Sequence, residues 1–157
     1  KGMMTDWAST NRQSARVTLA EGLVIQGDLH LQPRVAWRDG PETPLELLNR
    51  GDAFFPISLP QGDVVFVAKE QVAMLAYRET MPPDDPERTN AARLIPLEIM
   101  MVGGTEHRGI AVSELPPARS RALDFLNAPD RFFALLTDQG TLCLNRRLVR
   151  AARPLPS

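Results

Sequence analysis

Apolar and polar residues alternate along most of this chain with the two-residue period of half-buried β-strands. The first alternation surrounds Gly22 and Gly27 and predicts two strands joined by a turn. Further strands are predicted at residues 54–59, 64–67, 72–77, 94–101, 107–112, 131–136, 141–144 and 148–152. A proline opens one predicted helical turn at 44–48, and a second turn is predicted at 123–127. The chain is therefore predicted to be mainly β.

A segment of the first half recurs in the second half at a constant offset. Residues 45–62 align with residues 123–140, and 8 of the 18 aligned positions are identical. Internal similarity at a fixed offset is typical of a duplicated structural unit. Each copy holds about five short strands and one helical turn, which suits a small closed barrel better than a flat sheet. The sequence therefore predicts two tandem five-stranded small barrels, each with a short helical turn before its third strand.

Composition places the boundaries of these units. Residues 1–13 are polar and aperiodic, which predicts a disordered arm. The first barrel is expected at 14–80 and the second at 93–155. Between them, residues 81–92 are acidic and rich in proline, so they are predicted to form the linker.

Charge is balanced overall and uneven along the chain. The net charge of −1 provides no global field that would recruit nucleic acid or an anionic membrane. Residues 93–157 carry nine Arg against six acidic residues, a net charge of +3, whereas residues 1–92 carry −4. This asymmetry favours docking of the halves on each other or on a second copy.

The single cysteine, Cys143, excludes an internal disulfide and a cysteine-cluster metal site. It lies in an apolar alternation, which predicts a buried thiol. No run approaches the length of about 18 apolar residues that spans a bilayer, and the first residues lack the apolar segment of a signal peptide. The protein is therefore expected to be cytoplasmic and to make no membrane contact.

The pattern Val17-x-Leu19-x-x-Gly22-x-x-x-x-Gly27-x-Leu29 resembles the opening of an Sm-like (LSm) domain. Residues 64–75, and more faintly residues 141–150, are similar to the closing pair of strands in that family. The resemblance implies a small Sm-like or SH3-like barrel in each copy, in which the glycines allow a strongly bent strand.

The sequence departs from the family where its RNA contacts lie. Sm proteins that bind uridine-rich RNA carry an Asp and Asn pair after the second strand, which is absent after Leu31. At the final corner, Ala68-Lys69 and Asn145-Arg146 stand in place of their Arg-Gly pair. The resemblance therefore implies the barrel more than RNA binding. The repeated segment is foreign to ordinary Sm domains and indicates a separate bacterial family with a similar barrel.

Four polar residues recur among apolar neighbours, namely Asn49, Asp52, Asn127 and Asp130. As a functional hypothesis, they form a pseudo-symmetric pair of ligand or partner sites. The structural alternative is that each Asn ends its helical turn in the left-handed conformation and each Asp accepts backbone hydrogen bonds in an Asx turn.

The Phe-Phe pairs, Phe54-Phe55 and Phe132-Phe133, also recur. Successive strand residues point to opposite faces, so one ring of each pair is expected in the barrel and the other on the outer face. The outer ring then needs a cover, which is the helical turn or the other copy. Phe55 and Phe133 are retained as candidate residues of the repeated motif.

A basic cluster near the C-terminus contains Arg146, Arg147, Arg150 and Arg153. It is a candidate surface for RNA or an acidic partner. No Tyr or Trp is interleaved for base stacking, and a strand edge guarded by charge is the alternative interpretation.

Catalysis has little support in the sequence. His30 and His107 do not align between the copies, and neither has a nucleophile or metal-ligand spacing around it. No glycine-rich phosphate loop follows a strand. The chain is predicted not to be an enzyme and to hold no metal or cofactor.

The predicted function is a non-enzymatic protein-interaction or assembly module, with the protein itself as a homo-oligomer or another protein as partner. One alternative is RNA binding through the Arg-rich C-terminal strands. The other is a small-ligand sensor whose site lies between the copies, at the repeated Asn and Asp residues.

Overall fold

The computed structural model describes residues 10–78, 93–113 and 121–156. These residues form ten antiparallel strands and two short helices, so the predicted mainly β class is confirmed. The strands are β1 (Asn11–Leu19), β2 (Val24–Leu31), β3 (Phe54–Ser58), β4 (Val64–Ala68), β5 (Val72–Tyr77), β6 (Arg93–Met101), β7 (Glu106–Ser113), β8 (Phe132–Thr137), β9 (Gly140–Asn145) and β10 (Val149–Pro154). The helices are α1 (Pro44–Asn49) and α2 (Ala122–Leu126), and 3₁₀ turns at Lys69–Gln71 and Arg146–Leu148 lead into β5 and β10.

Helix α1 is fixed at its start by reciprocal capping bonds. The Thr43 hydroxyl accepts a hydrogen bond from the Glu46 backbone N–H at 3.1 Å, and the Glu46 carboxylate accepts one from the Thr43 N–H at 2.9 Å. Pro44 occupies the first turn, where its missing N–H costs nothing. Leu47 and Leu48 are buried, so the helix docks on the sheet and sets the path of the chain from β2 to β3.

Neither helix among the described residues has the length and apolarity needed to cross a lipid bilayer.

All ten strands belong to one sheet, in the order β10-β6-β7-β8-β9-β5-β1-β2-β3-β4. The prediction of two separate closed barrels is wrong, because β5 pairs with β9 of the other half and β4 is left at an edge of the sheet. Each half contributes five consecutive strands in the same internal order. The two edges of the sheet are therefore β4, from the first half, and β10, from the second.

The predicted boundaries are corrected at the N-terminus. Strand β1 begins at Asn11, so residues 11–13 of the predicted arm belong to the sheet, where they pair with residues 29–31 of β2. The predicted linker, 81–92, lies outside the described residues.

Gly27 and Gly109 hold corresponding places in the two halves. A Cβ atom at Gly27 would stand 2.5 Å from the Ser58 carbonyl oxygen, and one at Gly109 would stand 2.5 Å from the Leu136 carbonyl oxygen. No side chain fits at these distances, so glycine is what lets β2 approach β3 and β7 approach β8.

Two apolar cores lie along the sheet, and each takes residues from both halves. The first core consists mainly of residues from β1 to β5 and α1, and it also contains Phe132 and Cys143 of the second half. The second core is built around residues of β6 to β9 and also contains Ala73 of the first half. The Cys143 thiol is buried, as its sequence context predicted.

Candidate interaction site at the sheet edges

Strands β5 and β9 form the junction between the halves. Their antiparallel register places Met74 opposite Leu144, Leu75 opposite Cys143, Ala76 opposite Leu142, and Tyr77 opposite Thr141. Leu75 and Cys143 are buried in the first core, whereas Leu144 is buried in the second core with Met74 packed against it. The junction therefore continues both cores across one pair of strand edges.

The side chain of Asn49 fastens this junction. Its Oδ1 accepts a hydrogen bond from the backbone N–H of Phe132 at 2.9 Å, and its Nδ2 donates one to the Phe132 carbonyl at 3.1 Å. The amide thus supplies to Phe132 the donor and the acceptor that a neighbouring strand would supply. Asn49 is a clamp between the first half and the second.

The left-handed cap considered for the two asparagines is not formed. Among the described residues, only glycines have a positive φ. Asn49 is the last residue of α1, and Asn127 follows α2 with φ −87° and ψ 3°. The Asn127 side chain is exposed and makes no hydrogen bond to a described residue, in contrast to Asn49.

The paired phenylalanines divide between the cores. Phe55 is buried in the first core and Phe133 in the second, each within its own half. Phe132 points the other way and is covered by the first half, with 1% of its surface exposed. Phe54 holds the corresponding position in the first half, and 58% of its surface is exposed.

The same contrast distinguishes β4 from β9. Phe54 of β3 lies opposite Ala68 of β4, and Phe132 of β8 lies opposite Asn145 of β9. Phe66 and Cys143 each lie two residues before these partners, so Phe66 of β4 corresponds to Cys143 of β9. Phe66 is 63% exposed, whereas Cys143 is fully buried at the junction. Strand β4 therefore has more exposed apolar surface at this position than β9.

In each half, a basic residue at the start of the 3₁₀ turn donates hydrogen bonds to a carbonyl at the end of the helix. Lys69 is buried, and its Nζ donates to the carbonyl of Arg50 at 3.1 Å, at the end of α1. Burial lowers the pKa of the Lys69 ammonium, against the opposing effect of the Asp52 carboxylate. A cation at a helix C-terminus is favoured by the helix dipole and by the carbonyls left without partners there.

Arg146 is the corresponding basic residue at the end of the helix in the second half. Its guanidinium donates to the carbonyls of Phe125 at 2.8 Å and Asp130 at 2.7 Å. It also lies 5.2 Å from the ring centroid of Phe125 and 5.0 Å from that of Phe133. Burial lowers the pKa of Arg146, and the Asp130 carboxylate opposes that effect. Asp52 and Asp130 themselves are exposed beside these cations.

The basic cluster divides between internal contacts and solvent. Arg146 is committed to the end of α2, and Arg153 donates to Glu98 at 2.8 Å. Arg147 and Arg150 are exposed. Two of the four arginines therefore already have partners within the chain.

Sequence reasoning missed a polar cluster in the first half. The His30 ring lies 2.7 Å from the Ser58 hydroxyl through Nε2 and 3.1 Å from the Thr10 hydroxyl through Nδ1. Burial, followed by the nearby Arg12 charge, lowers the pKa of His30. Both His30 and Ser58 are buried, so the cluster ties β2 to β3. The lack of an aligned histidine in the second half was the only sequence signal of this difference.

Among the described residues, strands β4 and β10 are the two edges of the sheet. The first carries the exposed rings of Phe54 and Phe66, and the second carries exposed Ala151 and Arg153. Among the described residues, no group of three or more potential metal-ligating side chains occurs. Comparison of the chain with models of known protein families, with curated proteins and with solved structures found no match.

Proposed function

We propose that this protein is a non-enzymatic assembly module that associates with copies of itself through the edges of its sheet. The observation that carries the proposal is the contrast between Phe54, which is 58% exposed, and Phe132, which is 1% exposed in the corresponding place. Burying an aromatic ring of this size contributes about 1.5–3 kcal/mol. A contact that buries Phe54 to the same extent as Phe132 would therefore have a favourable free energy.

The composition of β4 supports the same function. Residues 64–68 read Val-Val-Phe-Val-Ala, and no charged residue interrupts them. Natural proteins protect an edge strand with charges, proline or a bulge, because an unprotected edge pairs with other chains. Strand β4 contains no charged residue, proline or bulge. Its composition is therefore suited to pairing with another strand.

The proposal includes the origin of the two halves as copies of one Sm-like unit. Support comes from the recurrence of 45–62 as 123–140, from the shared strand order, and from the matching close approaches at Gly27 and Gly109. A duplicated unit with strand edges suited to each other joins its own copies first. Further copies then extend the same arrangement.

The test is the mass of the protein in solution, measured by sedimentation velocity over a range of concentrations. The wild-type chain should exceed its monomer mass of 17.4 kDa, and Phe54→Lys should shift the population towards the monomer. Leu23→Lys is the matched control, because Leu23 is similarly exposed but lies in the turn between β1 and β2. A wild-type chain that stays monomeric at the highest concentration, or a Leu23 variant that dissociates equally, would refute the proposal.

A further inference from the structure

We infer that the cluster of His30, Ser58, Thr10 and Arg12 is a pH-sensitive latch, in which protonation of His30 weakens the contact between β2 and β3 and so weakens self-association. The inference rests on the proposed self-assembly and adds its regulation. The contact concerned holds the β3–β4 hairpin, which carries Phe54, to the rest of the sheet.

The β3–β4 hairpin joins the sheet along a short ladder. Strand β3 lies between β2 and β4, and β4 is an edge, so β2 is the strand through which the hairpin meets the sheet. The ladder between β2 and β3 pairs Asp28 with Ser58 and Leu29 with Ile57, whereas eight residue pairs join β1 to β2. A side-chain bond across so short a ladder therefore contributes a larger share of the pairing than it would in a long one.

The hydrogen bonds around His30 have one direction. Arg12 Nη2 donates to the Ser58 hydroxyl oxygen at 3.4 Å. The Ser58 hydroxyl then donates its own hydrogen to Nε2 of His30, 2.7 Å away, and Nδ1 of the neutral imidazole donates to the Thr10 hydroxyl at 3.1 Å. This tautomer is assigned from the bonds, because it uses each donor and acceptor once.

A second proton on the imidazole reverses that direction. Nε2 becomes a donor, so the Ser58 oxygen has to accept from His30 and Arg12 together and to turn its own hydrogen away. Two cations then face one hydroxyl group at a site where His30 and Ser58 are both buried. The protonated cluster is therefore less stable than the neutral one.

The surroundings of His30 oppose its charged form. Burial is the first cause and the Arg12 guanidinium the second, and they hold the pKa of His30 below its ordinary 6.5 against the effect of the Asp28 carboxylate. Within the described ranges, the charges that act on His30 come from β1 and β2. Strand β3 presents the neutral Ser58, and the carboxylate of α1, Glu46, is bonded to residues of the loop before it.

The sign of the effect follows from the direction of this shift. Because the folded-state pKa of His30 lies below the unfolded one, its contribution to stability is complete above about pH 6.5 and is lost as the pH falls through the folded-state value. Protonation of a buried histidine in this range is a common way to switch an interface. Mild acid should therefore weaken the hold of β2 on the hairpin.

The second half places apolar residues at the same positions of its sheet. Strand pairing sets Arg12 opposite His30 and Asp28 opposite Ser58 in the first half, and Leu94 opposite Val112 and Ile110 opposite Leu136 in the second. The second half is also the one whose β8–β9 hairpin is paired at the junction. The titrating cluster therefore lies beside the hairpin whose β4 edge serves the proposed assembly.

The first test compares self-association at about pH 7.5 and about pH 5 by sedimentation velocity. The apparent dissociation constant of the wild-type chain should rise about ten-fold at the lower pH, which corresponds to about one competent hairpin in ten. His30→Gln keeps a neutral hydrogen-bonding group beside Ser58 and should abolish the difference. His107→Gln is the matched control, because it removes the other histidine of the chain, whose pKa is also lowered by burial, and should leave the pH response intact.

A further variant keeps the test decisive if His30→Gln does not fold. The Arg12 side chain is 60% exposed, so Arg12→Gln should fold and should reduce the pH response by removing the opposing cation. An unchanged response in Arg12→Gln would contradict the opposition of the two cations.

Hydrogen exchange of the β3 and β4 backbone amides tests the latch independently of mass. At about pH 5 their protection factors should be lower in the wild-type chain than in His30→Gln, and at about pH 7.5 they should be equal. Equal protection at both values refutes the latch. Assembly that does not respond to pH refutes the regulation and leaves the proposed function standing, whereas a wild-type chain that stays monomeric at both values refutes the proposed function and its regulation together.

Discussion

Asn49 and Phe132 are separated by 83 residues in the chain and are joined by two hydrogen bonds between a side-chain amide and a backbone peptide. Phe132 is buried, so its N–H and carbonyl have no water to replace a lost partner. Part of the stability of the junction therefore depends on one asparagine whose own helix lies in the other half.

Asn49→Ala should destabilise the fold by about 1–3 kcal/mol, because it leaves the buried Phe132 N–H without a partner and removes the shorter of the two hydrogen bonds to the Phe132 carbonyl, which also accepts from Arg146 at 3.4 Å. Urea unfolding monitored by tryptophan fluorescence measures the change. Asn127→Ala is the matched control, since the Asn127 side chain is exposed. In the monomer it should change the unfolding free energy by no more than about 0.5 kcal/mol. Equal effects of the two substitutions would show that the clamp contributes nothing.

Arg146→Ala should destabilise the second half by about 2 kcal/mol, since it removes bonds to the carbonyls of Phe125 and Asp130 and the cation over two rings. Arg147→Ala removes the same charge from an exposed neighbour and should be near neutral. Thermal unfolding of both variants separates the two roles. If both arginines matter only for binding an anionic polymer, neither substitution will move the melting temperature.

Gly27→Ala should be strongly destabilising, because its methyl group would stand 2.5 Å from the Ser58 carbonyl oxygen and 2.6 Å from Ile57 Cγ2. The expected cost is at least about 1–3 kcal/mol, the range for overpacking in a well-packed site. Gly51→Ala is the control, because nothing lies within 4 Å of the new methyl group. That substitution should be neutral or slightly stabilising through the unfolded chain. Chemical denaturation of the two variants decides the point, and a tolerated Gly27→Ala would contradict the close approach of β2 and β3.

Lowering the pH should remove the contribution of the Glu46 carboxylate to the stability of the fold. Burial alone would raise the pKa of this carboxyl, but its bonds to Arg38, Thr43 and Trp37 lower it from 4.5 to about 2. Because the folded-state pKa lies below the unfolded one, the contribution is complete above pH 4.5 and is lost as the pH falls towards 2. Its upper limit is about 3 kcal/mol.

Comparison of the wild-type chain with Glu46→Gln isolates that contribution from other carboxyls such as Glu98, whose pKa is also lowered by Arg108. The difference in unfolding free energy between the two proteins should be largest at pH 6 and should shrink at pH 2.5. A difference that stays constant over this range would show that the carboxylate charge of Glu46 does not stabilise the fold.

Much of the local structure could be predicted from the sequence, because it depends on neighbouring residues. Strand Val72–Tyr77 has its predicted bounds, and the proline at 44 opens the predicted helical turn. The two glycines at 27 and 109, which the sequence pattern singles out, lie where a Cβ atom would collide with a neighbouring strand, whereas the bent strand implied by the resemblance stays a prediction. Alternation of side chains and turn residues contains this information directly.

Closure of each half into a barrel could not be settled in this way. Strand β5 pairs through main-chain N–H and carbonyl groups, which nearly every residue carries. The sequence therefore does not distinguish pairing of β5 with β4, which would close a barrel, from the observed pairing with β9. The role of Asn49 was hidden for a related reason. Asparagine after a helical turn is equally suited to a left-handed cap and to a clamp, and only the position of Phe132 in space distinguishes them.

The exchange of Phe132, Cys143 and Ala73 between the cores has a consequence for folding. Neither half contains all the residues of its own core. Separating the halves would therefore leave a cavity in one core and expose buried apolar residues of the other. The halves should therefore melt in a single cooperative transition, and a chain cut between β5 and β6 should yield two fragments that fold only in each other's presence.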